Sequence, residues 1–157
     1  MQFYQFPDMR GAGTTAIWLG YYAKEWSFTG NTEFAVTHGL RGRPGHDPNL
    51  TGRLNPYCSV DSDMQIVNQM LKYYKFGFGF VTDEVCYLIR EGRLSRGAAA
   101  KLVRQYDGRC GGRYTREFCE YIGISERVFW RVTNGWVNRE LFERSTSWWK
   151  PKFEVGR

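Results

Sequence analysis

A mainly α fold is predicted, with about five short helices following one or two strands. From Asp61 onward, apolar residues recur every three or four positions in segments bounded by capping residues and glycines. Before that point one segment, Thr14 to Tyr22 (TTAIWLGYY), is dense in β-branched and aromatic types and reads as a buried strand. A hydrophobic fraction of 42% with 17% aromatics in 157 residues is enough for the packed core of one domain.

In chain order, the first dozen residues, with Pro7, Gly11 and Gly13, are expected to be irregular. A lone strand over Thr14–Tyr22 leaves both edges unpaired. Either residues 2–6 supply a second short strand, or the segment docks on a sheet outside this chain. The stretch Leu40 to Leu54 is broken by prolines and glycines and reads as a loop with freedom to move. The first helix is predicted from about Asp63 to Lys75, with Ile66, Val67, Met70, Leu71 and Tyr74 on one face, ended by Gly77 and Gly79. Thr82 is placed to cap a second helix that turns Val85, Leu88 and Ile89 inward and stops at Gly92. Ser95 caps a third, carrying Ala99, Leu102, Val103 and Tyr106 to the core and stopping at Gly108. A fourth lies near Thr115 to Tyr121 and ends at Gly123. Ser125 caps a fifth with Val128, Phe129 and Val132. Residues 1–60 thus form the strand and irregular part, 61–145 a helical domain, and 146–157 a tail containing Trp148 and Trp149.

No apolar run approaches the roughly 18 residues that cross a bilayer, so a soluble, cytoplasmic chain without a membrane partner is expected. Net charge is +6. Between Arg90 and Arg116 eight basic residues face two acidic ones, which favours phosphate or an acidic partner, although a solvated helical face is the commoner meaning of such a run. Cys58, Cys86, Cys110 and Cys119 lack zinc-knuckle or redox spacing and are expected to be reduced and mostly buried; with His38 and His46 they define no metal site. Neither histidine completes a nucleophilic triad.

Gly11-Ala12-Gly13-Thr14-Thr15 precedes the strand, whereas a phosphate loop follows one, so a simple turn is the better reading. The stretch Lys75 to Asp83 (KFGFGFVTD) is more informative. Gly77 and Gly79 permit close backbone approach, Lys75 offers a charge, and Thr82 with Asp83 opens a helix whose amides favour an anion. A helix-to-helix turn packed by phenylalanines explains the same residues. Arg90, Arg93 and Arg96 straddle the turn at Gly92, and a guanidinium fork suits phosphate or carboxylate. Asp107 either ends a helix or orients a sugar hydroxyl. As an alternative function, Arg116 to Asn134 reads as a helix-turn-helix presenting Glu126, Arg127, Trp130, Arg131 and Asn134 to DNA, with Trp130 and Glu126 making a poor groove face, so that nucleic acid is an improbable partner.

The segment KFGFGFVTDEVCYLIREGRLSRGAAAKLVRQYDGRC, Lys75 to Cys110, resembles the carboxy-terminal part of the N-acetyl sugar amidotransferase family of lipopolysaccharide and surface-glycan biosynthesis. The likeness extends upstream through Trp18-Leu19-Gly20-Tyr21-Tyr22 and downstream through Phe118 to Ile124 and Phe129 to Val132. It implies an enzyme that uses ATP with magnesium to activate a sugar acetamido oxygen and installs ammonia, giving an acetamidino group on a nucleotide sugar. It further implies glutaminase and synthase-like partners that supply the ammonia, and an ATP-pyrophosphatase α/β half with a Ser-Gly-Gly-x-Asp-Ser loop, a motif this sequence lacks. The expectation is therefore a helical region that extends the sheet of an absent ATP-pyrophosphatase domain and is inactive alone. Carried over residue by residue, Lys75, Gly77, Gly79, Thr82, Asp83, Arg90, Arg93, Arg96 and Asp107 are the expected contacts to phosphate or substrate.

Overall fold

In the computed structural model, which describes residues 10, 11, 13, 15–22, 26–146 and 148–156, the chain forms seven α-helices and one small hairpin. The helices are α1 (Phe28–Thr37), α2 (Pro48–Thr51), α3 (Met64–Phe76), α4 (Phe80–Arg90), α5 (Arg96–Tyr106), α6 (Gly112–Ile122) and α7 (Glu126–Trp136). The strands β1 (Phe142–Arg144) and β2 (Trp149–Pro151) pair antiparallel, Phe142 opposite Pro151 and Arg144 opposite Trp149.

The five helices from α3 to α7 follow the apolar periodicity. Ile66, Val67 and Met70 of α3 share one face and pack against Tyr114 and Cys119 of α6 and Phe129 of α7. Val81 and Val85 of α4 meet Ala99 and Val103 of α5, with Leu54 and Val155 closing that cluster. A third cluster joins Val137, Phe142 and Trp149 to Tyr73 and Tyr74 at the end of α3. Each fully buried aliphatic side chain stabilises the fold by about 1.5–3 kcal/mol, so the three clusters hold the helices where isolated helices of 11–13 residues would be marginal. Local stop signals act as expected: Gly77 (φ +81) ends α3 and Gly123 (φ +72) ends α6 in the left-handed conformation. Ser95 and Ser125 cap α5 and α7, each hydroxyl accepting from the amide three residues on.

Several expectations are corrected. Thr14–Tyr22 is not a buried strand: residues 15–18 are irregular, Leu19–Tyr21 is a single 3-10 turn, and Ile17, Trp18, Leu19 and Tyr22 are between 63% and 76% exposed. Strand propensity alone cannot satisfy the amides of an unpaired strand, and among the described residues the two strands pair only with each other. Residues 2–6, the other candidate strand, lie outside the described residues. Helix α1 was not anticipated because FTGNTEFAVT buries no residue and has no apolar face. It is held instead by the Ser27 cap, a Thr29 hydroxyl bonded to Glu91, and Phe28 stacked on Tyr87 at 4.6 Å.

The Leu40–Leu54 segment contains α2, capped by Asp47 with Pro48 at its first position. It is pinned by two buried arginines. The Arg43 guanidinium donates to the Ser59 and Ser62 carbonyls and pairs with Asp63, and Arg53 donates to the Cys58 carbonyl at 2.6 Å. The fourth predicted helix is longer than expected, starting at Gly112, where Gly111 N–H is anchored on the Leu50 carbonyl at 2.7 Å. The tail, residues 146–157, contributes β2, and Trp149 packs with Phe142 on Tyr73 and Tyr74 at the end of α3. Among the described residues no helix is long and apolar enough to cross a membrane.

Candidate functional site

The turn from α3 to α4 brings together three of the residues singled out from sequence, in a way that local reading did not show. Helix α4 starts at Phe80, two residues before Thr82, and its N-cap Gly79 has no side chain to satisfy the first amides. Asp107, at the end of α5, does so from across the packed pair. Gly79 N–H donates to one carboxylate oxygen at 2.8 Å, Val81 N–H to the other at 3.0 Å, and the Thr82 hydroxyl to the first at 2.7 Å. A Cβ on Gly79 would stand 2.6 Å from Asp107 Oδ1, so glycine is needed for this approach. Burial pushes the Asp107 carboxyl up, and the bonds from Thr82, Gly79 and Val81 oppose it. The anion at the start of α4 is thus the chain's own carboxylate, and Gly79, Thr82 and Asp107 serve one another rather than a ligand. Gly77 packs likewise, its Cα facing Leu141 and Phe153.

The four predicted cations and Asp83 separate. Lys75 is exposed beside the Phe76 ring and borders an apolar groove between α3, α6 and α7. Arg93 makes two bonds to Glu33, at 2.5 and 3.1 Å, and leans toward Glu91. Asp83 pairs with Lys72 at 2.5 Å. Arg90 and Arg96 remain together on the rim of a cavity of about 670 Å³ where α4 meets the start of α5. Arg90 lies over the Tyr87 ring at 4.9 Å, Tyr87 stacks on Phe28, and Arg90 Nε donates to the Cys86 carbonyl. Arg96 has no hydrogen bond or ion pair among the described residues. An aromatic floor carrying one stacked and one unengaged guanidinium can receive phosphate oxygens in bidentate fashion. Cys86, expected to be buried, is exposed in this cavity, while Cys119 is buried and Cys58 and Cys110 are half-buried; all four thiols are free.

Sequence reading missed Glu84, which also lines the cavity. It is 4% exposed, accepts from Leu54 N–H at 2.7 Å and Asn55 N–H at 3.0 Å, and burial pushes its carboxyl up to about 7. Behind it, Arg53 is 1% exposed, sits 4.3 Å from the Phe80 ring centroid, and keeps two of its nitrogens without a partner. Burial pulls the Arg53 guanidinium down and the Glu84 charge opposes this. The signal for Glu84 was present: Val81, Glu84, Val85 and Leu88 share one helical face, and a carboxylate among three apolar residues requires a partner. Phe28 carried no comparable signal. Groups of three or more His, Cys, Asp or Glu able to hold a metal ion are absent among the described residues.

Helices α6 and α7 meet at Gly123 as the helix-turn-helix reading expects, but the face it needs is incomplete. Asn134 Oδ1 accepts from Trp149 Nε1 at 2.8 Å, Trp130 is half-buried and turned toward Trp148 and Trp149, and Arg116 lies 3.6 Å from Glu126. Two of the five side chains expected in a DNA groove are therefore engaged with the hairpin.

The sequence profile described as LPS biosynthesis protein WbpG-like, C-terminal domain, matches residues 51–154. The chain belongs to the WbpG-like C-terminal domain family. The match contains α3 to α7 and the hairpin, hence Arg90, Arg96, Glu84 and Asp107, and leaves Ile17, Trp18, Leu19 and α1 outside it. No curated protein sequence gives a significant match. A WbpG-like C-terminal domain places the chain in lipopolysaccharide biosynthesis, and DNA binding finds no support in it.

Proposed function

We propose that this WbpG-like domain is the nucleotide-sugar-binding part of an ATP-dependent N-acetyl sugar amidotransferase. The observation that carries the reading is the pairing of Arg90 and Arg96 over the aromatic floor of Phe28 and Tyr87 within a lipopolysaccharide-biosynthesis domain. Two guanidiniums on one rim hold a diphosphate as a fork holds two carboxylates, and the aromatic floor offers a face to a ring. In the proposed reaction the acetamido oxygen attacks the α-phosphorus of ATP and pyrophosphate leaves. Ammonia then adds to the activated carbon, and AMP departs with the former acetamido oxygen. The product is a cationic acetamidino sugar.

This chain's residues bind and orient the substrate; adenylation requires an ATP-pyrophosphatase region, and glutaminase and synthase-like partners deliver ammonia. The exposed Ile17, Trp18 and Leu19 are the proposed contact with that ATP-pyrophosphatase region, since uncovered apolar side chains in series mark interaction surfaces. Equilibrium titration of the chain with UDP-N-acetylglucosamine tests the binding role. Replacing Arg90 and Arg96 together with Met is expected to weaken binding about 100-fold, the sum of two charge-assisted contacts. Unchanged affinity would reject the assignment. Reconstitution with the pyrophosphatase region, ATP, magnesium and ammonium is expected to release AMP and the cationic sugar together, and AMP release without a nitrogen-bearing product would reject the reaction.

A further inference from the structure

A second cavity, sharing no lining residue with the arginine cavity, lies between the end of α3, α7 and the hairpin. Its volume is about 310 Å³, and it is lined by Tyr74, Trp130, Asn134, Arg144, Trp148 and Trp149. The aromatic walls are set by packing: Trp130 meets Phe129 edge to face at 5.1 Å, and Trp149 is buried with its indole N–H held by Asn134 Oδ1. That bond orients the Asn134 amide and leaves its two N–H donors without a partner among the described residues. Arg144 lies 5.4 Å from the Trp149 centroid and makes no ion pair there. Trp148, in the same lining, is 58% exposed.

We propose that this cavity is a sugar-binding subsite that seats one pyranose ring. A pyranose has one face of C–H groups, which packs on indole, and a rim of hydroxyl oxygens, which accept from amide and guanidinium donors. The cavity offers that combination. Its size, at the lower end of small-molecule sites, suits a single ring. The choice of a sugar over another ring compound rests on the lipopolysaccharide-biosynthesis reading above.

The test titrates the full chain with N-acetylglucosamine while following indole fluorescence and indole N–H resonances. Saturable binding in the millimolar range is expected, weakened about tenfold or more by Trp148→Ala, whose exposed side chain leaves the fold intact. Arg144→Met is expected to weaken it as well. No saturable response, saturation by uridine in place of the sugar, or undiminished sugar binding in folded Trp148→Ala would overturn the proposal. An Arg90 and Arg96 double variant that binds UDP-N-acetylglucosamine normally, alongside a Trp148→Ala chain that has lost N-acetylglucosamine, removes the arginine assignment and upholds this one.

Discussion

Helices α4 and α5 lie side by side, each brings one arginine to the same cavity, and they begin in opposite ways. Helix α5 is started by its own neighbour, Ser95, whose hydroxyl accepts from Ala98 N–H. Helix α4 is started by Asp107, which lies 28 residues from Gly79 and reaches it only because Val81 and Val85 pack on Ala99 and Val103. A local cap contributes to one helix alone. A remote cap ties the start of α4 to the end of α5, so the wall holding Arg90 and the wall holding Arg96 form together. The rigidity of that cavity thus depends on a carboxylate that is not among its lining residues.

The comparison is broken or sharpened by five measurements. The largest effect is expected for Asp107→Ala, which leaves two buried amides unpaired and should lower stability by about 3–5 kcal/mol in urea denaturation. A loss below about 1 kcal/mol would mean that water replaces the carboxylate and that α4 is locally independent. Gly79→Ala comes next: its Cβ would press on Asp107 Oδ1, and a cost of about 2 kcal/mol is expected, with Asp107→Ala and Gly79→Ala less than additive in the double variant.

Third is the pH response of Glu84. Its folded value of about 7 stands above the ordinary 4.5, so the folded chain holds the proton more tightly than the unfolded one. Its contribution to stability is full below about pH 4.5 and is lost as pH rises through about 7, with a slope of at most about 1.4 kcal/mol per pH unit. Glu84→Gln is expected to flatten that part of the profile, and an unchanged profile would show that Glu84 titrates normally. Fourth, Ser95→Ala should cost about 1 kcal/mol, with equal cost whether or not Asp107 is present. Smallest is Arg93→Ala, expected within about 0.5 kcal/mol because the Glu33 pair is exposed. A cost above about 2 kcal/mol would give α1 a share in holding α4 that the surface pair does not suggest.

Much of the helical body was legible. The three- and four-residue spacing of Ile66, Val67 and Met70, the caps Ser95 and Ser125, and the stops Gly77, Gly92 and Gly123 are local instructions, and the chain follows them. Three things were not legible, for one reason in each case. The segment at Ile17 to Tyr22 has strand-forming residues, but a strand is completed by a partner that propensity does not specify. Helix α1 has no apolar face and owes its place to single contacts with Tyr87 and Glu91. The hairpin at Phe142 and Trp149 is too short to show alternation and is held by aromatic packing on Tyr73 and Tyr74.

The same division holds for the site. Glycines, an aspartate and arginines near residues 75–107 were visible as a concentration of useful chemistry, and the sequence by itself determined that they stand on short capped helices. Only tertiary structure decided what each one does. It gave Asp107 to the amides of α4, Asp83 to Lys72 and Arg93 to Glu33, and left Arg90 and Arg96 facing one cavity. The physical reason is that capping and periodicity act over three or four residues along the chain, whereas a charge is assigned by whichever opposite charge or amide packing brings within hydrogen-bond reach.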